Sequence, residues 1–327
     1  MAGWTHGSGS ARRSAPYHGR DTLNQSPAIG TDVPEVLVAR ERGAASKIAS
    51  GIVRFIKRKP LGAGALFLVL LVAVLSFAAP LVAPYDQFQV DTRHELEGYG
   101  SRHWLGTDQL GRDLMSRMFY GARISMAISV GAVALGSTVG FTWGLMSGYF
   151  GGKLDLLSQR VIDANQSIPS LILAMALVAG LGPSIVNLII AISVPFVSGM
   201  SRVTRSQVLS LRERPFVDAA KALGATDLRI IIRHVAPNCV APYLVLVTAE
   251  LGGAILTESS LSFLGLGTTE PHASLGSMLS GTGQSFFLIA PWMAIWPGIA
   301  LSILVFGVNL FGDALRDVLD PRLRGSK

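Results

Sequence analysis

The stretch LGAGALFLVLLVAVLSFAAPLVA, residues 61–83, runs for 23 residues without one charged side chain. An α-helix rises about 1.5 Å per residue, so about 20 such residues cross a hydrocarbon core of ~30 Å. Five further apolar blocks follow near 122–150, 161–181, 183–200, 239–266 and 287–311. The expected fold is therefore all-α and polytopic, with six transmembrane helices. The third block is the weakest, because Asp163, Asn165, Gln166 and Pro169 precede its apolar run. That polar half is expected to face other helices rather than lipid. Across 327 residues, 50% are hydrophobic and 15% charged, a balance unlike that of a water-soluble domain.

Charge distribution orients the chain. The net charge of +7 would suggest nucleic acid in a soluble protein, but 23 of the 28 Lys and Arg residues fall on one side of the six-span arrangement. Only Arg93, Arg102, Arg112, Arg117 and Arg123 fall on the other. The positive-inside bias then places both termini in the cytoplasm of an inner-membrane protein and explains the charge without nucleic acid. Residues 1–46 have the Gly, Ser, Arg and Pro content of a disordered cytoplasmic tail, and 47–60 form a basic interfacial segment that meets membrane lipid. The membrane-spanning domain is 61–327. The first block is long enough to be a retained anchor rather than a signal sequence.

Chemistry of the usual enzymatic kinds has no foothold. One cysteine, Cys239, excludes an internal disulfide, and six scattered histidines show no metal-ligand spacing. Walker A, G-x-S-x-G and H-E-x-x-H patterns are absent, and LSGTGQ at 279–284 is a chance likeness to an ATPase signature. Neither a catalytic residue, a metal nor a bound cofactor is expected in this chain.

Three segments remain as candidates. The first, HWLGTDQLGRDLMSRMFYGARIS at 103–125, lies on the exported side. Thr107 or Asp108 is suited to cap a helix over 108–120, with Asp108 to Arg112 and Asp113 to Arg117 as i,i+4 pairs. The second, ELGGAILTESSLSFLGLG at 250–267, puts Glu250 and Glu258 on one face of a span. Glu258 is read as bordering a transport path or as a hydrogen-bonded packing residue, and Glu250 as packing. The third is RPFVDAAKALGATDLRIIIRHVAPN at 214–238, in a cytoplasmic loop. Pro215 opens and Gly224 closes a helix over 215–223, too short to span and marginal alone in water. Phe216, Ala220 and Leu223 form an apolar stripe for a partner, with Ala219 allowing close approach. A second helix from Thr226 or Asp227 should stop at Pro237.

At these residues the sequence resembles the membrane permeases of ABC importers, whose loop signature is E-A-A, then x-x-x-G, then an apolar stretch ending in Pro. Here it reads Asp218-Ala219-Ala220, Gly224 and Pro237, with Asp in place of Glu. GTDQLGRD at 106–113 (Gly106, Thr107, Asp108, Gly111, Arg112, Asp113), SIP at 167–169, LSFLGLG at 261–267 and DPRLRG at 320–325 are similar to the peptide and nickel branch. Within it, they look most like the second, C-type permease of dipeptide and oligopeptide importers. The resemblance covers about 47–325 and implies a type I ABC importer permease fold. It further implies a homologous second permease, two cytoplasmic ATPases that hold ATP and Mg, and an exported peptide-binding protein. Helix 215–223 would then be the coupling helix. Two alternatives are a permease of this type for nickel or another small solute, and a proton-coupled secondary transporter using Glu250 or Glu258. The latter needs inverted repeats and paired broken helices, and the sequence shows neither.

Overall fold

The computed structural model describes residues 59–319. The tail 1–46, most of the segment 47–60 and the ending 320–327 lie outside the described residues. Within them the chain is helix and loop, its one β pairing being an isolated bridge between Thr107 and Asp113. Five helices are long and apolar enough to cross a membrane, and a bent pair makes a sixth if counted as one span.

The first span, α1 (Pro60–Phe77), starts on a proline, whose missing N–H costs nothing at a first helical position. A short α2 (Ala79–Val82) follows. Leu61, Phe67, Val74 and Phe77 are exposed, as lipid-facing side chains should be. A single helix, α3 (Leu114–Phe150), carries the second block and extends for 37 residues.

A ladder of small residues binds α3 to α6 (Ile185–Arg212). Gly136, Gly140 and Gly144 lie against the carbonyl oxygens of Ser193, Val197 and Ser201; a Cβ at any of the three would sit 2.5 Å from that oxygen. Gly148 continues the series against Val208. In lipid there is little hydrophobic drive between helices, so close backbone approach and the dispersion contacts it permits hold the pair together. Above this ladder Ile128, Ala132 and Val133 of α3 share a core with Leu188, Ala191 and Ile192 of α6.

Three expectations about boundaries need correction. The third block is a break rather than a straight span: α4 (Gly152–Gln166) and α5 (Ser170–Leu181) meet at 90°. Pro169 cannot continue α4, and α5 alone, about 18 Å long, is too short to cross. Within the polar half Asp163 and Asn165 do meet a neighbouring helix, Asp163 pairing with Arg202 and Asn165 Nδ2 donating to the Val194 carbonyl at 2.9 Å, while Gln166 is exposed. The fourth span runs on to Arg212, well into the expected loop. Finally, Pro237 does not end the second loop helix. After α7 (Pro215–Ala222) and α8 (Asp227–Ile230), a π-turn over Ile231–Val235 widens the helix and leads directly into α9 (Ala236–Phe263). The wider turn accommodates the missing N–H and the ring of Pro237, which then sits at the start of α9.

From its far end α9 leads into α10 (Leu275–Leu279), α11 (Thr282–Ser285) and the last span, α12 (Trp292–Leu319). Ala122, Ile255, Leu275, Leu304 and Val308 join α3, α9, α10 and α12 in one core, and Val69 and Val72 bring α1 onto it.

Candidate functional site

On the side expected to be exported, residues 106–113 form a compact knot instead of the expected helix. Asp108 does not cap a helix from Gln109; its carboxylate accepts from the backbone N–H of Leu110 (2.9 Å) and of Arg112 (3.0 Å). The cap of α3 is Asp113, which accepts from Ser116 N–H at 2.8 Å and Ser116 Oγ at 2.7 Å. Gly106 (φ +84°) and Gly111 (φ +70°) make the turn possible: both φ values are left-handed, and a Cβ on Gly111 would collide with the Asp91 carbonyl.

The Asp108 to Arg112 pair exists at 2.6 Å, but Arg117 turns from Asp113 to share Asp108 at 3.4 Å. All three side chains are buried. Arg112 Nη1 also reaches Glu270 Oε2 at 3.2 Å, tying in the loop after α9. His103 Nδ1 lies 2.9 Å from Asp113, and Trp292 Nε1 donates to the Thr107 carbonyl at 3.2 Å, fixing the knot to α12. Thr107 Oγ1 donates to the His94 carbonyl and accepts from Glu97 N–H. At the rim, a hydrogen bond from His94 holds the Asp91 carboxyl below its ordinary range. All six residues singled out here thus converge. Arg117 was read as the partner of Asp113 and pairs with Asp108 instead, while His103, Glu270 and Trp292 were missed, the last two because nothing local in the sequence signals a partner 158 or 185 residues away.

On the opposite side, α7 sits as a ledge on its own chain. Gly224 has φ +77°, its N–H bonds the Lys221 carbonyl at 2.9 Å, and Ala225 N–H bonds Ala220 O at 3.1 Å. These are the two bonds of a Schellman cap, so the expected end of the helix is found there. The stripe is different from the expected one. Val217 and Ala220 (8% exposed) turn inward onto Leu145, Val208, Ile230, Ile231, Val235 and Cys239. Phe216 is 39% and Leu223 88% exposed, and Asp218, Ala219 and Pro237 are also on the surface. Ala220 is consequently part of the chain's own core and out of a partner's reach. Val217, three residues before it, completes an inward i,i+3 pair.

The two carboxylates of α9 have different surroundings. Glu258 is fully buried, accepting from Ser262 Oγ at 2.7 Å and from Ser259 Oγ at 3.4 Å. A side chain with no surface lines no path, so the geometry gives Glu258 the packing role. Glu250 is half-buried, and no hydrogen bond or ion pair among the described residues reaches it.

Residues 140–325 match the model of the "binding-protein-dependent transport system inner membrane component" family. The chain is 40% identical over 269 residues to the dipeptide transport system permease protein DppC of Alkalihalophilus pseudofirmus, covering 82% of this chain and 88% of that one. It is 38% identical over 274 residues to the glutathione transport system permease protein GsiD of Pectobacterium atrosepticum, covering 83% and 90%. A chain of the methionine ABC transporter MetNI, solved in inward-facing conformations, aligns over 63% of this chain and 98% of its own, at 18% identity and a TM-score of 0.47. The protein belongs to the family of binding-protein-dependent transport system inner-membrane components, the permease subunits of ABC transporters.

Proposed function

We propose that the chain is one of two membrane-spanning subunits of an ATP-driven importer of di- and oligopeptides, with both termini in the cytoplasm. It pairs with a homologous second permease, receives substrate from an exported binding protein at the knot, and is driven by two cytoplasmic ATPases. ATP and Mg are held by those subunits, and this chain performs no catalytic step; its work is alternating access. The peptide substrate is supported by the names of its relatives. The observation that carries the coupling role is the ledge itself: α7 is anchored from beneath by Val217 and Ala220 while Leu223 and Phe216 stay bare, flanked by exposed Leu228 and Ile232. A short helix with apolar side chains left in water is suited to a groove on another protein.

The test is Leu223→Asp, at a side chain that is 88% exposed in its own chain. The variant should reach the membrane at the wild-type level yet lose co-purification of the ATPases and peptide-stimulated ATP hydrolysis. Retention of both would remove α7 as the coupling element.

The secondary-transporter alternative loses ground on one count and gains on another. A broken helix, absent from the sequence reading, does occur, but among the described residues it occurs once, at α4–α5, where a pair of inverted halves needs two.

A further inference from the structure

Glu250 lies about 20 Å from either end of α9, near the middle of a span. A carboxylate at that depth requires water, a hydrogen-bond donor or a cation. Glu258, two turns away, has its donors in serines. Glu250 has none, and the surface beside it is bare: Gly199 of α6 faces it, and a Cβ there would lie 3.7 Å from Glu250 Oε1. One turn further along α6, Arg202 pairs with Asp163 of the broken α4 at 2.5 Å, the two side chains being 47% and 50% exposed. Three ionisable groups thus stand half-open at neighbouring levels of α4, α6 and α9. Facing hydrocarbon would cost Glu250 several kcal/mol, so its open side is a wet one. The Asp163 to Arg202 pair neutralises itself. Glu250 keeps an unmatched negative charge, and no metal-holding group of His, Cys, Asp or Glu occurs among the described residues.

We propose that Glu250 lines the translocation path and receives the free α-ammonium of the passing peptide, with Gly199 leaving room for it; this rests on the peptide-importer reading above. The α-amino group, with an ordinary pKa of about 8, is a cation at neutral pH and the one positive charge common to all unblocked peptides. A charge-assisted hydrogen bond favours such a peptide over its N-acetylated form. The Arg202 to Asp163 pair, one turn away, keeps the passage hydrated without adding net charge.

The experiment uses the whole complex, with second permease, ATPases and binding protein, reconstituted in liposomes and supplied with trialanine or N-acetyl-trialanine. Because the same binding protein serves every variant, its own preference cancels between them. In Glu250→Gln the ratio of the two uptake rates should fall about tenfold through slower trialanine uptake, with acetylated uptake and basal ATP hydrolysis unchanged. Glu250→Asp should restore most of the ratio. Gly199→Val, which crowds the carboxylate from the opposite helix, should lower the ratio in the same direction and covers the case in which Glu250→Gln assembles poorly. An unchanged ratio in Glu250→Gln or, where that variant does not assemble, in Gly199→Val overturns the site and leaves the importer reading intact. Loss of the second permease from the Glu250→Gln complex, with Gly199→Val leaving the ratio unchanged, also overturns it by making Glu250 an intersubunit contact. A wild-type complex that moves neither peptide defeats the peptide reading, and the site with it.

Discussion

The knot at 106–113 and the ledge of α7 are built from opposite materials. In the knot, Asp108, Arg112, Arg117 and Asp113 are buried and satisfied by one another, by backbone and by His103 and Ser116. In the ledge the polar residues Asp218 and Lys221 are exposed and two large apolar side chains, Phe216 and Leu223, have no cover. A region whose polar groups are closed on themselves holds its shape alone, while one with bare apolar surface gains its last contacts from another protein. Stability should therefore be concentrated in the first and partner binding in the second.

The contrast can be broken most severely at Asp108. Asp108→Ala leaves two buried guanidinium groups with only exposed Glu270 between them, at a cost of about 3–5 kcal/mol. Membrane accumulation and thermal unfolding of the purified complex should both show it. Wild-type accumulation would mean that the knot is not self-supporting. Next comes Ala220→Glu, which drives a charge under α7 among Val208, Ile231 and Cys239 and should cost about 3 kcal/mol, read in the same assays. Its neighbour Gly224→Ala must hold a left-handed φ, a strain of about 1 kcal/mol that lowers the unfolding temperature without dispersing the complex. The smallest effect belongs to Leu223→Asp, within about 0.5 kcal/mol for the chain itself. If Leu223→Asp destabilised the chain as much as Ala220→Glu, the inward and outward faces of α7 would have been assigned the wrong way round.

Much of this was legible in the residues. Apolar length located the spans, and Pro215 and Gly224 bounded α7, because capping obeys local rules. What escaped was whatever depends on a distant neighbour. The choice between the Phe216, Ala220, Leu223 and the Val217, Ala220 faces of α7 is made by Val208, Ile230 and Ile231. Asp108 reads as a helix cap until Arg117 and the collision at Gly111 are considered together. The two carboxylates of α9 are alike in sequence, and only the serines around Glu258 and the bare Gly199 beside Glu250 tell them apart. Pro237 stops a regular helix but not one that widens into a π-turn first.

The length of α3 has a mechanical meaning. Its 37 residues make a rod of about 55 Å whose outer tip is held by Asp113 and whose inner end meets the base of the ledge, through Tyr149 Oη on Asp227 (2.8 Å) and the Gly148 carbonyl on Arg212 (3.3 Å). Riveted to α6 along four glycines, it resists bending. A swing of about 5° about one tip displaces the other by ~5 Å, so the two faces of the membrane are joined by leverage and need no relay of rearranging side chains between them.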